Sequence, residues 1–331
     1  MRSTLLASCL CALAIWHVAA QNPGPRFTPS ATCMEVHRKI LDKIRNGQLA
    51  EAEAALSGAL TSKEVDGDLS YLWVTLDNMA TVIGFSGRFA EAEVLAERSL
   101  SIMDRFYPLD DPARFRPLHL LWSVQIQQGK RGKAQRTFRS MQSVRLDEPQ
   151  DQARLYSATA AHWQAEGQPK GAEMAYSKAL SAWTELGLGE TADAAAMLVG
   201  LGAVQLSQGR YLEAGTALDR ALSIAQSAKD AVPLDLINVL VNRAAMYARQ
   251  GKWQAASEDL GAVISLADRD ARLDSAQRKL ILANLAHFLR KAHRAKEARS
   301  IEARAATIHA PESTRVVDVS ELVDNGNARR K

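Results

Sequence analysis

The chain has 331 residues, 47% of them apolar and 24% charged, with a formal net charge of +4. That is enough apolar material for a sizeable core, and it excludes wholesale disorder. Aromatics make up only 6% while alanine recurs in stretches such as 51–56 and 192–196, a composition suited to helices packed closely through small side chains.

Residues 1–20 read as a secretory signal peptide: Arg2, an apolar run from Leu5 to Trp16, then Val18-Ala19-Ala20 placed for cleavage before Gln21. The run is too short to span a bilayer, and no later stretch is long and apolar enough to do so. The product is expected to be exported, periplasmic or secreted, without a transmembrane segment after cleavage. A lipid anchor at Cys9 is the weaker alternative, because the apolar stretch follows that cysteine instead of preceding it. Cleavage would remove Cys9 and Cys11 and leave Cys33 without an intramolecular disulfide partner. Residues 21–33 form a Pro-rich lead-in that includes Pro23, Pro25 and Pro29, residues that cannot propagate a helix.

From residue 34 to 309 one pattern recurs seven times. A turn-compatible residue is followed by Ala five positions on and by a small or apolar residue seven positions after that. The instances are Gly47/Ala52/Ala59, Gly87/Ala92/Ser99, Gly129/Ala134/Met141, Gly167/Ala172/Ala179, Gly209/Ala214/Ala221, Gly251/Ala256/Val263 and His293/Ala298/Ala305. Successive markers lie 40, 42, 38, 42, 42 and 42 residues apart. Glycine supplies the positive φ of a helix end, and two small residues seven apart leave one helix face open to close approach, so each unit is predicted to be a helical hairpin.

These markers resemble the tetratricopeptide repeat, with a small residue seven before the turn filled by Ala80, Ala160, Gly202, Ala244 and Ala286. The step near 42, with Asn78-Met79-Ala80 and Asn284-Leu285-Ala286, is similar to the long-helix variant of kinesin light chains and many bacterial proteins. Trp122 and Ile40 at the small-residue position and His293 at the turn depart from the pattern. The resemblance implies an all-α, right-handed superhelical solenoid of about seven hairpins. Its first helices would line a concave groove, and the chain would be a non-enzymatic adaptor for a protein or extended peptide.

In related proteins, Asn nine before the turn bonds a ligand backbone, since a carboxamide both donates and accepts. That position holds Asn78, Asn242 and Asn284, but Arg38, Leu120, Ala158 and Gly200 elsewhere, so the ladder is partial; the same asparagines could equally bond across helices or merely face water. By this register the last two repeats offer the groove Asn238, Asn242, Arg249, Asn284, His287, Arg290 and Lys291, beside an apolar floor of Ala196, Val199, Ala203 and Leu206. An apolar segment followed by acidic residues would suit that lining. The chaperone-type carboxylate clamp is not expected, because its asparagine position holds Leu41, Thr81, Ser123, Ala161, Ala203, Ala245 and His287.

Charge is uneven: Gly47 to Asp111 carries twelve acids and four bases, and Pro112 to Leu146 eight bases and no acid. Lys130, Arg131, Lys133, Arg136 and Arg139 are therefore either a solvated face or a docking surface for an acidic partner or another copy. Self-assembly, or a place as an accessory subunit of an envelope or secretion complex, is the alternative function. The seven histidines are scattered, and no His-Glu-x-x-His, cysteine pair or phosphate loop is present, so neither metal, cofactor nor catalysis is expected. Export and few aromatics argue against nucleic acid. Residues 310–331 read as a polar tail, whose apolar pieces Val316–Val319 and Leu322-Val323 could instead fold onto the groove or add a short helix.

Overall fold

A computed structural model describes residues 35, 38–40, 42–43, 48–61, 69–228, 233–269, 273 and 275–309. The expected signal peptide, lead-in, Cys33 and C-terminal tail lie outside the described residues. The elements in chain order are α1 (Leu49–Thr61), α2 (Leu69–Phe85), α3 (Phe89–Met103), a 3-10 turn (Pro112–Arg114), α4 (Phe115–Gln127), α5 (Arg131–Gln142) and α6 (Pro149–Ala165). They continue as α7 (Pro169–Glu185), α8 (Ala192–Ser207), α9 (Tyr211–Ser227), α10 (Pro233–Arg249), α11 (Trp253–Arg269), α12 (Ser275–Lys291) and α13 (Ala295–Ala306). Among the described residues there is no strand, and no helix is long and apolar enough to cross a membrane.

The predicted markers from Gly87 to His293 are helix ends, and Gly47 lies outside the described residues. Gly87, Gly129, Gly167, Gly209 and Gly251 all adopt φ between 70° and 77°, and His293 adopts 63°. In each case the amide after the marker reaches back to a carbonyl of the preceding helix. Arg88 N–H bonds Ile83 O at 3.1 Å, Lys130 bonds Gln125 at 2.9 Å, Gln168 bonds Trp163 at 2.8 Å, and Arg210, Lys252 and Arg294 repeat the contact. This 6→1 closure satisfies carbonyls that a helix end otherwise leaves orphaned, and it requires the left-handed residue that glycine supplies without strain.

Ala five after the marker is where the two helices of a hairpin meet. Ala52, Ala92, Ala134, Ala172, Ala214, Ala256 and Ala298 are all at 0% exposure; a longer side chain at any of them would push the helices apart. Gly202, at the small-residue position of its hairpin, shows the tightness directly, because a Cβ there would stand 2.9 Å from Leu218 Cγ. Trp122 departs from the pattern and is nonetheless buried, its ring 6.2 Å from Phe138 and 5.6 Å from His119. Local aromatic packing absorbs the extra volume.

The described residues up to Leu155 form one compact unit and those from Tyr156 another. In the first, α1, α2, α3, α4 and α5 pack each on the next, and α2 also touches α4. In the second the same holds from α7 to α13, and α8 also touches α10. First helices of neighbouring hairpins therefore lie side by side in each unit, as repeats that contact only their neighbours require.

Candidate functional site

In the second unit the register brings α8 and α10 side by side and places α12 as the first helix of the following hairpin. The residues expected to face a ligand there are Ala196, Val199, Ala203 and Leu206 on α8, and Asn238, Asn242 and Arg249 on α10. From α12 come Asn284, His287, Arg290 and Lys291. The four α8 residues are buried and apolar. Asn242 is buried and donates from Nδ2 to Asn238 O at 2.9 Å, an intrahelical bond. Asn238, one turn earlier, is only 4% exposed, and neither its Oδ1 nor its Nδ2 has a hydrogen-bond partner. A buried carboxamide without partners costs about 1–3 kcal/mol. Asn284 is also buried and makes no side-chain hydrogen bond among the described residues.

Arg249 closes α10. Its Nη1 points at the Leu206 carbonyl at 3.5 Å, near the end of α8, its Nε has no partner, and burial pulls its guanidinium below the usual range. The negative ends of α8 and α10 favour a cation here, but no carboxylate is paired with it among the described residues. His287 is half-buried, edge-on to Trp253 at 6.3 Å, and Lys291 Nζ stands 5.9 Å over the same ring. Arg290 is placed otherwise: it turns to Glu302 on α13, 2.6 Å away, and is used within its own hairpin.

The ladder position of the hairpin formed by α8 and α9 is Gly200. Tyr176, from α7, fills the space beside it and donates its hydroxyl to Gln164 Oε1 at 2.8 Å.

In the first unit Asn78 is fully buried and accepts from Arg116 Nη2 at 2.6 Å, while Arg116 Nε lies 2.8 Å from Asp77 Oδ2. The structure thus gives Asn78 an internal partner on the neighbouring first helix. Burial raises the Asp77 carboxyl and lowers the Arg116 guanidinium, and each partner's charge opposes the shift. Beside them, burial pushes the His119 imidazole down to about 4, with the Arg154 charge adding to the effect. Sequence reasoning missed this pair; its signal is an Asp ten before one marker and an Arg thirteen before the next.

The basic surface divides. Lys133 Nζ lies 2.9 Å from Glu93 Oε1 and 3.3 Å from Glu97, and Lys130 reaches the other Glu93 oxygen. Burial raises the Glu93 carboxyl, but bonds from Lys130, Lys133 and Gln128 outweigh it and hold the group at about 2. Arg131, Arg136 and Arg139 are exposed and make no ion pair among the described residues. The Glu93–Lys130 pair belongs to a series, since Arg88 reaches Glu53 at 2.7 Å and Arg210 reaches Glu173 at 2.6 Å. In each, the cation just after one turn clasps a glutamate six positions after the preceding turn. Much of the charge contrast between the two blocks is therefore consumed between adjacent hairpins of one chain.

No protein-family model and no curated protein matches the sequence. Solved structures do match in fold. BtubC (BKLC) from P. vanneervenii aligns at 20% identity with a TM-score of 0.55, over 69% of this chain and 96% of that one. A Rap protein complexed with competence and sporulation factor aligns at 16% identity and a TM-score of 0.63, over 86% of this chain and 76% of that one. The APC/C hetero-tetramer Cut9–Hcn1 aligns at 12% and 0.60, over 86% of this chain and 47% of that one. The fold is that of the tetratricopeptide repeat. At these identities the likeness extends to the fold and no further, so the function of the tetratricopeptide-type faces has to come from their own side chains.

Proposed function

We propose that this chain is an exported, non-enzymatic scaffold that binds a protein segment along the first-helix face of its second unit. The observation that carries this is Asn238, a buried carboxamide with neither oxygen nor nitrogen satisfied, on the same helix as Arg249, whose guanidinium faces no carboxylate among the described residues. A peptide backbone supplies both the donor and the acceptor that Asn238 lacks, and a carboxylate on the same segment would answer Arg249. Two of the compared structures hold a second molecule, competence and sporulation factor with Rap and Hcn1 with Cut9, which supports the same use of the fold here. Export rests on the N-terminal pattern of Arg2, Leu5–Trp16 and Ala20.

The test is capture of a partner from the source organism's envelope and culture fluid by the exported chain, beside a variant carrying Asn238→Ala, Arg249→Ala and Asn284→Ala. A partner held by the parent and lost by the folded variant supports the face as the site. Equal capture removes it, and Arg131, Arg136 and Arg139 become the next surface to change. Cell fractionation checks export: a chain retained in the cytoplasm with residues 1–20 intact would overturn that part.

A further inference from the structure

We propose that the turn edge of the second unit, where Arg249 and Lys291 stand beside Tyr211 and Trp253, binds an extended acidic protein segment, one carboxylate at each of two successive turns. This rests on the reading of the second unit as a protein-binding surface and names the chemistry of its partner.

The first ground is repetition. Tyr211 and Trp253 each lie two residues after a turn marker and are 42 residues apart, and Arg249 and Lys291 each lie two before the next marker with the same separation. Each ring therefore belongs with the cation of the following hairpin. Lys291 Nζ stands 5.9 Å over the Trp253 ring, within cation–π reach. Arg249 Nη1 points at the Leu206 carbonyl, five residues before Tyr211; burial lowers its guanidinium and the Tyr211 phenol opposes that shift. Earlier hairpins carry other pairs at these positions, such as Phe89 with Gln127 and Pro169 with Ser207, so the arrangement is confined to the last three.

The second ground is unused bonding capacity on an open surface. Lys291 is exposed, and Arg249, Tyr211 and Trp253 are half-buried. Among the described residues neither cation meets a carboxylate, and neither the Tyr211 hydroxyl nor the Trp253 indole N–H has a hydrogen-bond partner. Acids on the flanking helices are engaged elsewhere: Glu213 meets Arg210 at 3.1 Å, Glu302 meets Arg290 at 2.6 Å, and Glu297 meets Arg294 at 2.6 Å. Each turn thus offers one positive charge and one neutral donor. A carboxylate, which accepts at both oxygens and donates at neither, satisfies the two together.

The third ground is spacing. Successive hairpins repeat at the distance of packed helices, about 8–10 Å, and extended chain covers about 3.3–3.6 Å per residue. Two acids three residues apart on an extended segment therefore match two successive turns.

The experiment titrates the full chain, isotope-labelled at its tryptophan indole nitrogens, with three synthetic nonapeptides of glycine and serine. One carries two glutamates three residues apart, one carries them adjacent, and one carries glutamines in their place. The readout is the Trp253 indole resonance, assigned by its loss in Trp253→Phe. The first peptide is expected to shift it saturably and to bind at least five-fold more tightly than the other two. Lys291→Gln and Tyr211→Phe should each weaken that peptide at least three-fold, while Lys291→Arg keeps it. Arg131→Gln with Arg136→Gln and Arg139→Gln should leave its affinity unchanged. A resonance that no peptide moves overturns the proposal. So does equal binding by the adjacent glutamates or by inorganic polyphosphate, which would mean general attraction of anions. An affinity untouched by Lys291→Gln, or lowered as much by the three arginine changes, overturns it as well. The two proposals fail separately. A captured partner lost by the variant at Asn238, Arg249 and Asn284, with Trp253 unmoved by the peptides, defeats the present one alone. Peptide binding at Trp253, with a partner captured equally by that variant, defeats the scaffold reading of the first-helix face alone.

Discussion

Tyr176 occupies the place that a side chain on residue 200 would take: a Cβ added to Gly200 would stand 2.5 Å from both the Cε1 and the hydroxyl of that ring. The asparagine ladder is interrupted here because the preceding hairpin has already filled the position with an aromatic ring anchored on Gln164. Gly200→Ala is expected to destabilise the chain by about 1–3 kcal/mol through overpacking. With Tyr176→Leu in the background the same change should cost much less, since contacting residues couple. Strictly additive losses in a denaturation cycle would show that the two positions do not compete for one space.

His293 carries φ 63° at a turn where the other described markers are glycine. A left-handed conformation costs an ordinary residue about 1–2 kcal/mol, partly offset by the greater unfolded-state freedom of glycine. His293→Gly should therefore raise stability by about 0.5–1 kcal/mol, seen as a higher denaturant midpoint with an unchanged slope. A lower midpoint would mean that the imidazole makes a contact outweighing the strain.

Glu93 titrates at about 2 in the folded chain against an ordinary 4.5. A depressed carboxyl contributes stability that is present above the unfolded value and lost as pH falls through the folded one, here between about 4.5 and 2. Glu93→Gln should cost about 1–2 kcal/mol near neutral pH, discounted for the half-exposed lysines, and should flatten the stability profile across that window. His119 acts in a different window. Its folded value of about 4 lies below the ordinary 6.5, so its contribution fades as pH falls from about 6.5 to 4 and should persist unchanged in the Glu93 variant.

Asn78→Ala should lower stability by about 1–2 kcal/mol, because it strips an acceptor from the buried Arg116 guanidinium. Partner capture should be unchanged, as the proposed binding face lies in the other unit. Lost capture by a variant whose melting curve matches the parent would return Asn78 to the list of binding residues.

The hairpins were legible because their signals are local and repeated: glycine where φ must be positive, and alanine where two helices touch. Asparagine and charge were less legible because their roles depend on what stands opposite, which lies one period away in the chain. Asn78 and Asn284 share one register position, yet Asn78 meets Arg116 while Asn284 meets no side-chain partner among the described residues. Arg290 looked available by its position and is taken by Glu302. The clasp between Glu93 and Lys130 could have been found by asking which glutamate recurs six positions after a turn glycine, since Glu53, Glu93 and Glu173 all do.

Those clasps join residues separated by 35 or 37 positions, slightly less than one period of about 42. Only the repeat that opens at Gly87 carries both halves, Arg88 for the hairpin behind it and Glu93 for the hairpin ahead. A gene segment coding that period, duplicated in frame, would arrive with both halves already in place. Copies of that one hairpin could be stacked without a new junction having to be invented.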